Sequence, residues 1–281
     1  MRMKLSGHRA VVTGASSGIG REFAFQLAAM GADVVIVARR RDRLIQLADE
    51  LRSKFQVQVD CVDLDLSLSG AAQTLFKKAT YQSSPVTLLI NNAGVGRYGS
   101  FMDFPLEDHL VTVQVNSTTP TELSYYFVRH MLAHGKKSYL VQVASIAAFQ
   151  PVGNFTVYSG TKGYLRAFSE TLAYELRDTD IGVTCICPGG TYTEFFQHSG
   201  QKITSSGHLT MMSAESVVRS SLKAMFRRQS VFVPGFLNKL ACFFPRFLPR
   251  GAALSMAHFT MSRAVERVSQ KNECFHVQEK S

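Results

Sequence analysis

The chain has 281 residues, of which 46% are hydrophobic and 19% charged, enough for one large α/β domain or two small ones with a sizeable core. No uninterrupted apolar segment approaches the roughly 20 residues that span a bilayer. The net charge is +10, from 31 Lys and Arg residues against 21 Asp and Glu residues. Such an excess can attract nucleic acid, anionic lipid or phosphorylated small molecules. No nucleic-acid-binding motif accompanies it, so we expect no nucleic-acid partner.

The N-terminal region and the cysteines indicate a cellular compartment. The apolar run near the N-terminus spans only residues 10–12, which is too short for the core of a signal peptide. The cysteines are odd in number and lack the spacing of a zinc site. We therefore expect reduced thiols, no metal site and a cytoplasmic location. The five cysteines are Cys61, Cys185, Cys187, Cys242 and Cys274.

Short apolar runs alternate with longer amphipathic segments along most of the chain. The runs are rich in valine and isoleucine and often continuous in hydrophobicity, which is typical of parallel strands covered on both faces. Strands that alternate with helices form right-handed βαβ units. The sequence therefore predicts an α/β fold, a doubly wound Rossmann domain whose parallel sheet is flanked by helices. The predicted strands are 9–14, 33–39, 56–64, 86–92, 138–145 and 182–189, and the predicted helices include 20–31, 43–55 and 214–228.

The absence of internal repeats, low-complexity tracts and linkers predicts one catalytic domain over residues 1–230. Within it, the glycine- and serine-rich segment at about 189–213 predicts a lid, because long irregular loops often cover functional sites. Residues 231–281 contain Pro234, Pro245 and Pro249 among phenylalanines and leucines. This composition predicts a C-terminal extension of short pieces, packed on the domain or at a subunit interface.

The first predicted strand leads into TGASSGIG, residues 13–20, and then into a helix. Gly14, Gly18 and Gly20 allow a tight turn and let the backbone approach a pyrophosphate, whose charge the helix N-terminus favours. The G-x-x-x-G-x-G spacing differs from the commonest dinucleotide fingerprint, and a tight turn alone would require glycines. Its position between a strand and an amphipathic helix makes a dinucleotide site the stronger interpretation.

The end of the second predicted strand indicates which dinucleotide is bound. An acidic residue at this position bonds the ribose of NAD, whereas arginine suits the 2′-phosphate of NADP. The strand ends in Ala38, Arg39 and Arg40, and the first acid is Asp42. Guanidinium groups form forked, charge-assisted bonds to phosphate, so the sequence favours NADP, with Arg39 as the first contact and Arg40 as the second. The alternative is that these basic residues merely begin a solvated helix.

Tyr158 stands four residues before Lys162. On a helix this spacing places the phenol and the ammonium on one face. A neighbouring positive charge favours phenolate and lowers the pKa of a tyrosine from its usual value of about 10. The pair suits acid–base catalysis, although an isolated Y-x-x-x-K is more often a half-buried aromatic beside a solvated lysine.

With these residues in place, the chain resembles the short-chain dehydrogenase/reductase family from about residue 5 to about residue 196. Several separated motifs follow the order of the family, and Ser145 precedes Tyr158 by thirteen residues, a separation that the family commonly shows. The matching motifs are the glycine loop at 13–20, DLS at 65–67, NNAG at 91–94, Asn116, Ser145, Tyr158 with Lys162, and PGGTYT at 188–193.

The resemblance implies an NADP-dependent oxidoreductase that interconverts a carbonyl and a secondary alcohol. Tyr158 would be the catalytic acid–base, and Lys162 would bond the nicotinamide ribose and lower the pKa of the tyrosine. Ser145 would polarise the substrate carbonyl, and Asn116 would hold a water that leads to Lys162. This chemistry is coherent without the family, since carbonyl reduction needs a hydride on carbon and a proton on oxygen.

The resemblance also implies a cofactor site. The DLS motif would contact the adenine, NNAG would border the ribose and support the sheet, and PGGTYT would bond the nicotinamide carboxamide. The cofactor-binding residues would be Gly14, Ser16, Ser17, Gly18, Ile19, Gly20, Arg39, Arg40, Asp65, Leu66, Asn91, Ala93, Gly94, Tyr158, Lys162, Pro188, Gly189, Thr191 and Thr193.

Two features depart from the family or lie outside its motifs. Thr87 stands where the family often has an aspartate before NNAG, and no shared motif follows Phe196. Apolar residues flank the catalytic set and favour a hydrophobic ketone or alcohol, such as an acyl, steroid-like or aromatic compound, although half of them could be ordinary core. These residues are Tyr98, Phe101, Phe104, Phe149, Val152, Phe155, Phe195, Phe196, Met211 and Met212.

Two other classes of function are compatible with parts of the sequence. One is a binding or regulatory protein that keeps the fold but little catalysis, although the intact Ser145, Tyr158 and Lys162 argue against it. The other is a lipid-modifying reductase at a membrane surface, because residues 236–254 mix aromatic and basic side chains that can lie in a lipid interface. Packing of this segment on its own domain, or between the subunits of a homodimer or homotetramer, is the interpretation that we favour.

Overall fold

The computed structural model describes residues 4–81, 84–205 and 207–267. Cys274 and the last part of the predicted extension lie outside these ranges. The strands are β1 (Arg9–Thr13), β2 (Asp33–Ala38), β3 (Val59–Asp63), β4 (Val86–Asn91), β5 (Ser138–Val143), β6 (Ile181–Ile186), β7 (Gln201–Ile203), β8 (Val231–Phe232) and β9 (Val265–Arg267). The α-helices are α1 (Gly18–Ala29), α2 (Arg41–Phe55), α3 (Ala71–Thr80), α4 (Leu106–Val113), α5 (Thr119–His134), α6 (Thr156–Glu175), α7 (Phe195–His198), α8 (Ala214–Phe226), α9 (Phe236–Phe243) and α10 (Arg250–Ala264).

A seven-stranded sheet in the order β3-β2-β1-β4-β5-β6-β8 forms the centre of the molecule. Every pair of neighbouring strands in it is parallel. The chain runs outward from β1 to β3 and then returns to β4 on the other side of β1. The predicted α/β class and doubly wound sheet are therefore confirmed, and the order reverses between β1 and β4, where such sheets bind their ligands.

Helices cover both faces of the sheet, which explains the continuous hydrophobicity of its strands. Successive strand residues point to opposite faces. Val12 and Ile36 belong to one buried cluster with α1, α2 and α8. Val11 and Val37 belong to a second cluster with α3 and α5. The strands thus carry two cores rather than one apolar and one solvated face.

Two boundaries differ from those that the sequence predicts. β3 begins at Val59 rather than at residue 56, because Gln56 adopts a left-handed conformation with φ of 56° and caps α2. The sheet also continues past residue 230, since β8 pairs with β6 at Cys185 and Ile186. A strand of two residues beside a proline-rich segment has too little pattern to be predicted.

The C-terminal extension returns to the catalytic domain. β9 pairs in antiparallel orientation with β7, which lies inside the predicted lid segment. Arg267 in β9 also forms an ion pair with Asp103. The extension and the lid are thus joined by backbone hydrogen bonds. Across the described ranges, no helix is both long enough and apolar enough to cross a membrane.

Candidate active site

A cavity of about 580 Å³ lies at the carboxyl ends of the strands. Residues directly after β1, β2, β4, β5 and β6 line it, so its floor is the sheet edge on both sides of the switch point. The lid segment and the C-terminal extension supply the opposite wall. Because the carboxyl ends of parallel strands converge here, residues that are distant in sequence share one site.

The glycine loop beside the cavity lets a ligand come close to its backbone. Gly14 has a φ of 67°, and a Cβ on it would lie 2.8 Å from Asn92 Nδ2, so a side chain would be strained and crowded. Asn92 Nδ2 donates to the carbonyls of Thr13 and Gly14, at 2.9 and 3.4 Å. The N-cap residue Ser17 does not cap α1 with its side chain. The first amides of α1 therefore remain available to an anion.

The two arginines after β2 have different partners. Arg40 donates to Ser16 Oγ at 2.9 Å, to Ser17 Oγ at 3.0 Å and to Glu194 Oε2 at 2.8 Å. Arg39 has a side chain that is 55% exposed, and its nearest carboxylate is that of Asp65 at 3.9 Å. Both arginines line the cavity. Arg40 thus organises the glycine loop, while Arg39 projects a loosely paired guanidinium.

Glu194 is a site residue that the sequence analysis missed. It follows Thr193 in the lid segment and accepts hydrogen bonds from Arg40 and from Arg43, the latter at 2.5 Å. The hydrogen bond from Arg40 is the largest factor that lowers the pKa of its carboxyl group. Arg43, the first residue of the helix predicted at 43–55, therefore helps to hold the lid segment against α2.

Tyr158 lies in the first turn of α6 and is almost entirely buried. Its ring stacks on Phe155 with centroids 4.3 Å apart, and it lies 5.4 Å from the ring of Phe195. Burial raises the pKa of Tyr158 to about 12, and a hydrogen bond with the Ser145 side chain opposes this rise. Burial therefore dominates, and the lowered pKa that the sequence analysis expects for Tyr158 is not found.

Lys162 lies one turn after Tyr158 on the same buried face of α6. Its Nζ is 5.6 Å from the centre of the Tyr158 ring and donates to the carbonyl of Val143 at 2.8 Å. Burial lowers the pKa of the ammonium group to about 8. The helical spacing read from the sequence thus brings the two groups together. Their enclosure raises the pKa of the tyrosine and lowers that of the lysine, and both shifts favour the neutral form of the group.

Asn116 lies behind this pair in a π-helical turn, Gln114–Thr118, between α4 and α5. Its Nδ2 donates to the carbonyl of Val95 at 2.8 Å, and its Oδ1 accepts from the amide of Val95 at 2.9 Å. Nδ2 also donates to Thr161 Oγ1 at 3.1 Å. Asn116 therefore holds the loop after β4 against α6. Such turns often occur at functional sites, but a sequence pattern does not reveal them.

The other predicted site residues divide into two groups. Gly20, Asn91 and Asn116 do not line the cavity, and Asn91 instead contacts the carbonyl of Pro120 from within the core. The structure brings the rest together around the cavity, namely Gly14, Ser16, Ser17, Gly18, Ile19, Arg39, Arg40, Asp65, Leu66, Ala93, Gly94, Ser145, Tyr158, Lys162, Pro188, Gly189, Thr191 and Thr193.

The apolar residues predicted to face the substrate also divide into those that line the cavity and those that do not. Val152, Phe155, Phe195, Phe196 and Met211 line the cavity. Five others do not, for reasons that differ among them. Tyr98 packs edge-on against Phe155, Phe101 stacks on His109, Phe104 lies beside His109 and Arg267, Phe149 lies under Arg166, and Met212 contacts Asn238.

The C-terminal extension supplies lining residues that the sequence analysis did not anticipate. Asn238 in α9 is buried against the turn after β6, and a Cβ on Gly189 would lie 2.3 Å from its Oδ1. This contact explains why a glycine occupies position 189. The extension residues that line the cavity are Leu237, Asn238, Ala241, Met256, Ala257, Thr260, Met261, Ala264 and Val265.

These features fit a dinucleotide. The glycine loop leaves a concave backbone beside unsatisfied helix amides, which suits a pyrophosphate. Arg39 lies near the end that would hold the adenosine, and Ser145, Tyr158 and Lys162 lie near the other end. The lining of the cavity therefore suits an anion beside the glycine loop and an acid–base group at Tyr158, which fits a nicotinamide cofactor held beside a substrate.

Comparisons with known proteins identify the family to which the chain belongs. A profile of the short chain dehydrogenase family matches residues 8–204. Very-long-chain 3-oxoacyl-CoA reductase of the yeast Meyerozyma guilliermondii is 31% identical over 64% of this chain, which spans 55% of that protein. L-xylulose reductase of Cavia porcellus is 34% identical over 67% of this chain and 73% of its own length.

A solved structure gives the same result. The short-chain dehydrogenase of Sphingobium yanoikuyae, in complex with NADPH, superimposes with a TM-score of 0.76 at 27% identity, over 95% of this chain and 99% of that one. The protein therefore belongs to the short-chain dehydrogenase/reductase family. It is an oxidoreductase of a family that binds NAD or NADP.

Proposed function

We propose that the protein is an NADP-dependent reductase of hydrophobic ketones that uses Tyr158 as its acid. The observation that carries the proposal is the position of Tyr158 and Ser145 together on the wall of a largely apolar cavity, with Lys162 one helical turn away. The dinucleotide supplies a hydride when it is bound.

Ser145 and Tyr158 act on the carbonyl oxygen of the substrate. The Ser145 hydroxyl donates a hydrogen bond where negative charge develops. Because its pKa is raised to about 12, Tyr158 is protonated at neutral pH and holds the proton that an alkoxide requires. Lys162, which is cationic at neutral pH, stabilises the phenolate left after this transfer.

The preference for NADP rests on the residues that follow β2. No carboxylate stands at Ala38, where it would repel a phosphate and bond ribose hydroxyls. Arg39 lines the cavity with an exposed guanidinium. Arg40 is engaged by two serines and Glu194, which supports Arg39 as the main ligand of a 2′-phosphate and Arg40 as the residue that shapes the adjoining loop.

The preference for a hydrophobic substrate rests on the composition of the cavity wall. Phe155, Phe195, Phe196, Met211 and Met261 line the cavity together with Tyr158. The two relatives described above act, by their names, on a fatty acyl thioester and on a sugar, so they do not favour either class. Apolar lining with a small number of polar groups is typical of sites for apolar ligands.

Assembly and location belong to the same proposal. Helices α4 and α5 expose Leu106, Leu110, Tyr125 and Leu132, and this surface suits contact with a second copy in a homodimer or homotetramer. Sedimentation velocity of the purified chain tests this assembly. The cytoplasmic location that the sequence predicts remains part of the proposal.

The experiment that tests the proposal is a substrate panel. Purified protein is mixed with NADPH or NADH and with matched ketones, including medium-chain and aryl ketones, a steroid ketone, a 3-oxoacyl thioester and a ketose. We expect NADPH oxidation with the hydrophobic ketones at a kcat/KM at least about tenfold above that for the ketose. Absence of turnover with every hydrophobic ketone, or a preference for the ketose, would contradict the proposal.

A further inference from the structure

Helices α9 and α10 and the turn between them expose an unusual number of large apolar side chains. Phe236 and Phe247 are 74% and 71% exposed, and Phe243, Phe244 and Phe259 are at least half exposed. Phe243 contacts both Phe244 and Phe247, with ring centroids 5.9 and 5.3 Å apart. These five residues, together with Lys239, Arg246 and Arg250, are called the C-terminal patch. A cluster of exposed apolar rings such as Phe243, Phe244 and Phe247 indicates an interaction site.

The charges around the C-terminal patch have one sign. Lys239, Arg246 and Arg250 are exposed beside its phenylalanines. From residue 216 to residue 265 the sequence contains eight lysines and arginines and no aspartate or glutamate. The chain as a whole has a net charge of +10. Three of these eight cations, Lys239, Arg246 and Arg250, lie in the stretch that carries the exposed aromatic rings, residues 236–259.

The C-terminal patch adjoins the active-site cavity. Leu237, which follows Phe236 in α9, is 59% exposed and also lines the cavity. Met256, one turn before Phe259 in α10, is 40% exposed and lines the cavity as well. The outer surface and the cavity wall are thus formed by the same two helices. Whatever covers the patch also faces the mouth of the cavity.

We infer that the C-terminal patch docks on the surface of an anionic lipid bilayer. Aromatic side chains that insert at the level of the headgroups, with lysine and arginine beside them, are the combination that binds such a surface. If the proposed reductase function holds, docking brings the cavity mouth to the lipid. The substrate class is then a carbonyl compound that partitions into the bilayer.

The charge of the C-terminal patch favours lipid over a second copy of the chain as its occupant. Two copies placed patch to patch would bring Lys239, Arg246 and Arg250 of each against the same cations of the other, with no carboxylate from residues 216–265 to pair with them. Like-charge juxtaposition of this kind opposes association. Anionic headgroups supply the missing negative charge.

The test is co-sedimentation of the full chain with phosphatidylcholine vesicles and with vesicles that contain about one third phosphatidylserine. We expect binding to the anionic vesicles at least about tenfold stronger than to the neutral ones, and weakened by added salt. The variant Phe243→Ser/Phe244→Ser/Phe247→Ser should lose at least about tenfold of this binding. Its control, Tyr81→Ser/Tyr164→Ser/Tyr174→Ser, removes three exposed rings elsewhere and should bind like the wild type.

A charge variant keeps the test decisive if the serine substitutions disturb folding. Lys239→Gln/Arg246→Gln/Arg250→Gln should weaken binding to anionic vesicles, whereas the matched control Lys77→Gln/Lys78→Gln/Lys137→Gln should weaken it much less. A wild type that binds neither kind of vesicle, or patch variants that bind as well as the controls, would overturn the inference. So would a dimer that the patch variants dissociate in the absence of vesicle binding.

The inference and the proposed function fail separately. Vesicle binding does not require turnover, so a protein that binds vesicles and reduces no ketone would refute only the proposed function. Conversely, the patch phenylalanines do not line the cavity, so patch variants should reduce a water-soluble ketone at the wild-type rate. For a ketone dissolved in anionic vesicles, the same variants should show a KM at least about fivefold higher, with kcat unchanged.

Discussion

Lys162 places its ammonium 5.6 Å from the ring of Tyr158, and both side chains are almost fully enclosed by the protein. Burial lowers the pKa of the lysine to about 8 and raises that of the tyrosine to about 12. Burial of each group therefore disfavours its charged form. Because both groups are already enclosed, little water has to be removed from around the Tyr158 phenol and the Lys162 ammonium when a dinucleotide and a substrate bind.

Burial of the Lys162 ammonium leads to a prediction about the free energy of unfolding. The folded pKa of Lys162, about 8, lies below the ordinary lysine pKa of 10.5, so between these values the unfolded chain holds more protons than the folded one. Stability from this group therefore rises with pH through that window. Replacement by methionine should stabilise the protein by about 2 kcal/mol at pH 7, and this advantage should shrink by about 1 kcal/mol at pH 9.

Urea unfolding of the wild type and Lys162→Met at the two pH values measures this effect. Groups other than Lys162 titrate in both proteins and cancel in the difference between them. A variant that is less stable than the wild type at pH 7, or an advantage that grows toward pH 9, would contradict the assignment. Activity should be almost completely lost, since the variant retains the volume of the side chain but not its charge.

A buried ion pair near the site makes a second prediction. Arg97, in the loop after β4, lies 3.2 Å from the Asp108 carboxylate in α4, and their side chains are 8% and 6% exposed. Arg97→Met leaves a buried carboxylate without this partner and should destabilise the protein by about 3 kcal/mol, whereas adding Asp108→Leu should recover much of the loss. Thermal and urea unfolding measure both.

The control for this prediction is an exposed pair. Arg219 and Glu215 are 3.1 Å apart in α8, with side chains more than half exposed. Arg219→Met should cost less than about 1 kcal/mol. Equal losses for Arg97→Met and Arg219→Met would show that burial of the first pair does not matter.

The cofactor preference makes a third prediction. Replacing Ala38 with aspartate and Arg39 with serine should shift the preference from NADPH toward NADH, because a carboxylate repels the 2′-phosphate and accepts bonds from ribose hydroxyls. Loss of the Arg39 contact alone should weaken NADPH binding by about 1.5–3 kcal/mol, roughly ten- to a hundredfold. Values of kcat/KM with each dinucleotide measure the shift.

Arg41→Ser is the matched control for the cofactor prediction, because Arg41 begins α2 with an exposed side chain paired to Asp63 and does not line the cavity. It should leave the preference unchanged. A wild type that prefers NADH, or an Ala38→Asp/Arg39→Ser variant with the wild-type preference, would refute the assignment of Arg39.

Local patterns predicted much of this architecture. The six longer strands of the central sheet carry continuous apolar runs because helices cover both of their faces, and Tyr158 and Lys162 share a face because α6 is regular. The glycine loop could likewise be predicted, because its shape depends on the glycines of one short segment. These features depend on residues that are close together in the chain.

Features that depend on distant parts of the chain were not predictable. The raised pKa of Tyr158 arises from burial, to which Phe195 of the lid segment contributes by packing against the ring. Helix α10 lines the cavity, but its small and apolar residues show no amphipathic stripe that would indicate a buried face. The partnership of Glu194 with Arg40 joins residues 154 positions apart.

The most direct test of the account is the activity of Tyr158→Phe on the best ketone of the panel, measured beside its affinity for NADPH. The substitution removes the proton donor and keeps the ring that packs on Phe155. We predict a loss of at least about a hundredfold in kcat, with the NADPH dissociation constant within about threefold of the wild-type value. A variant that retains a tenth of wild-type turnover would contradict the role of Tyr158 as the catalytic acid.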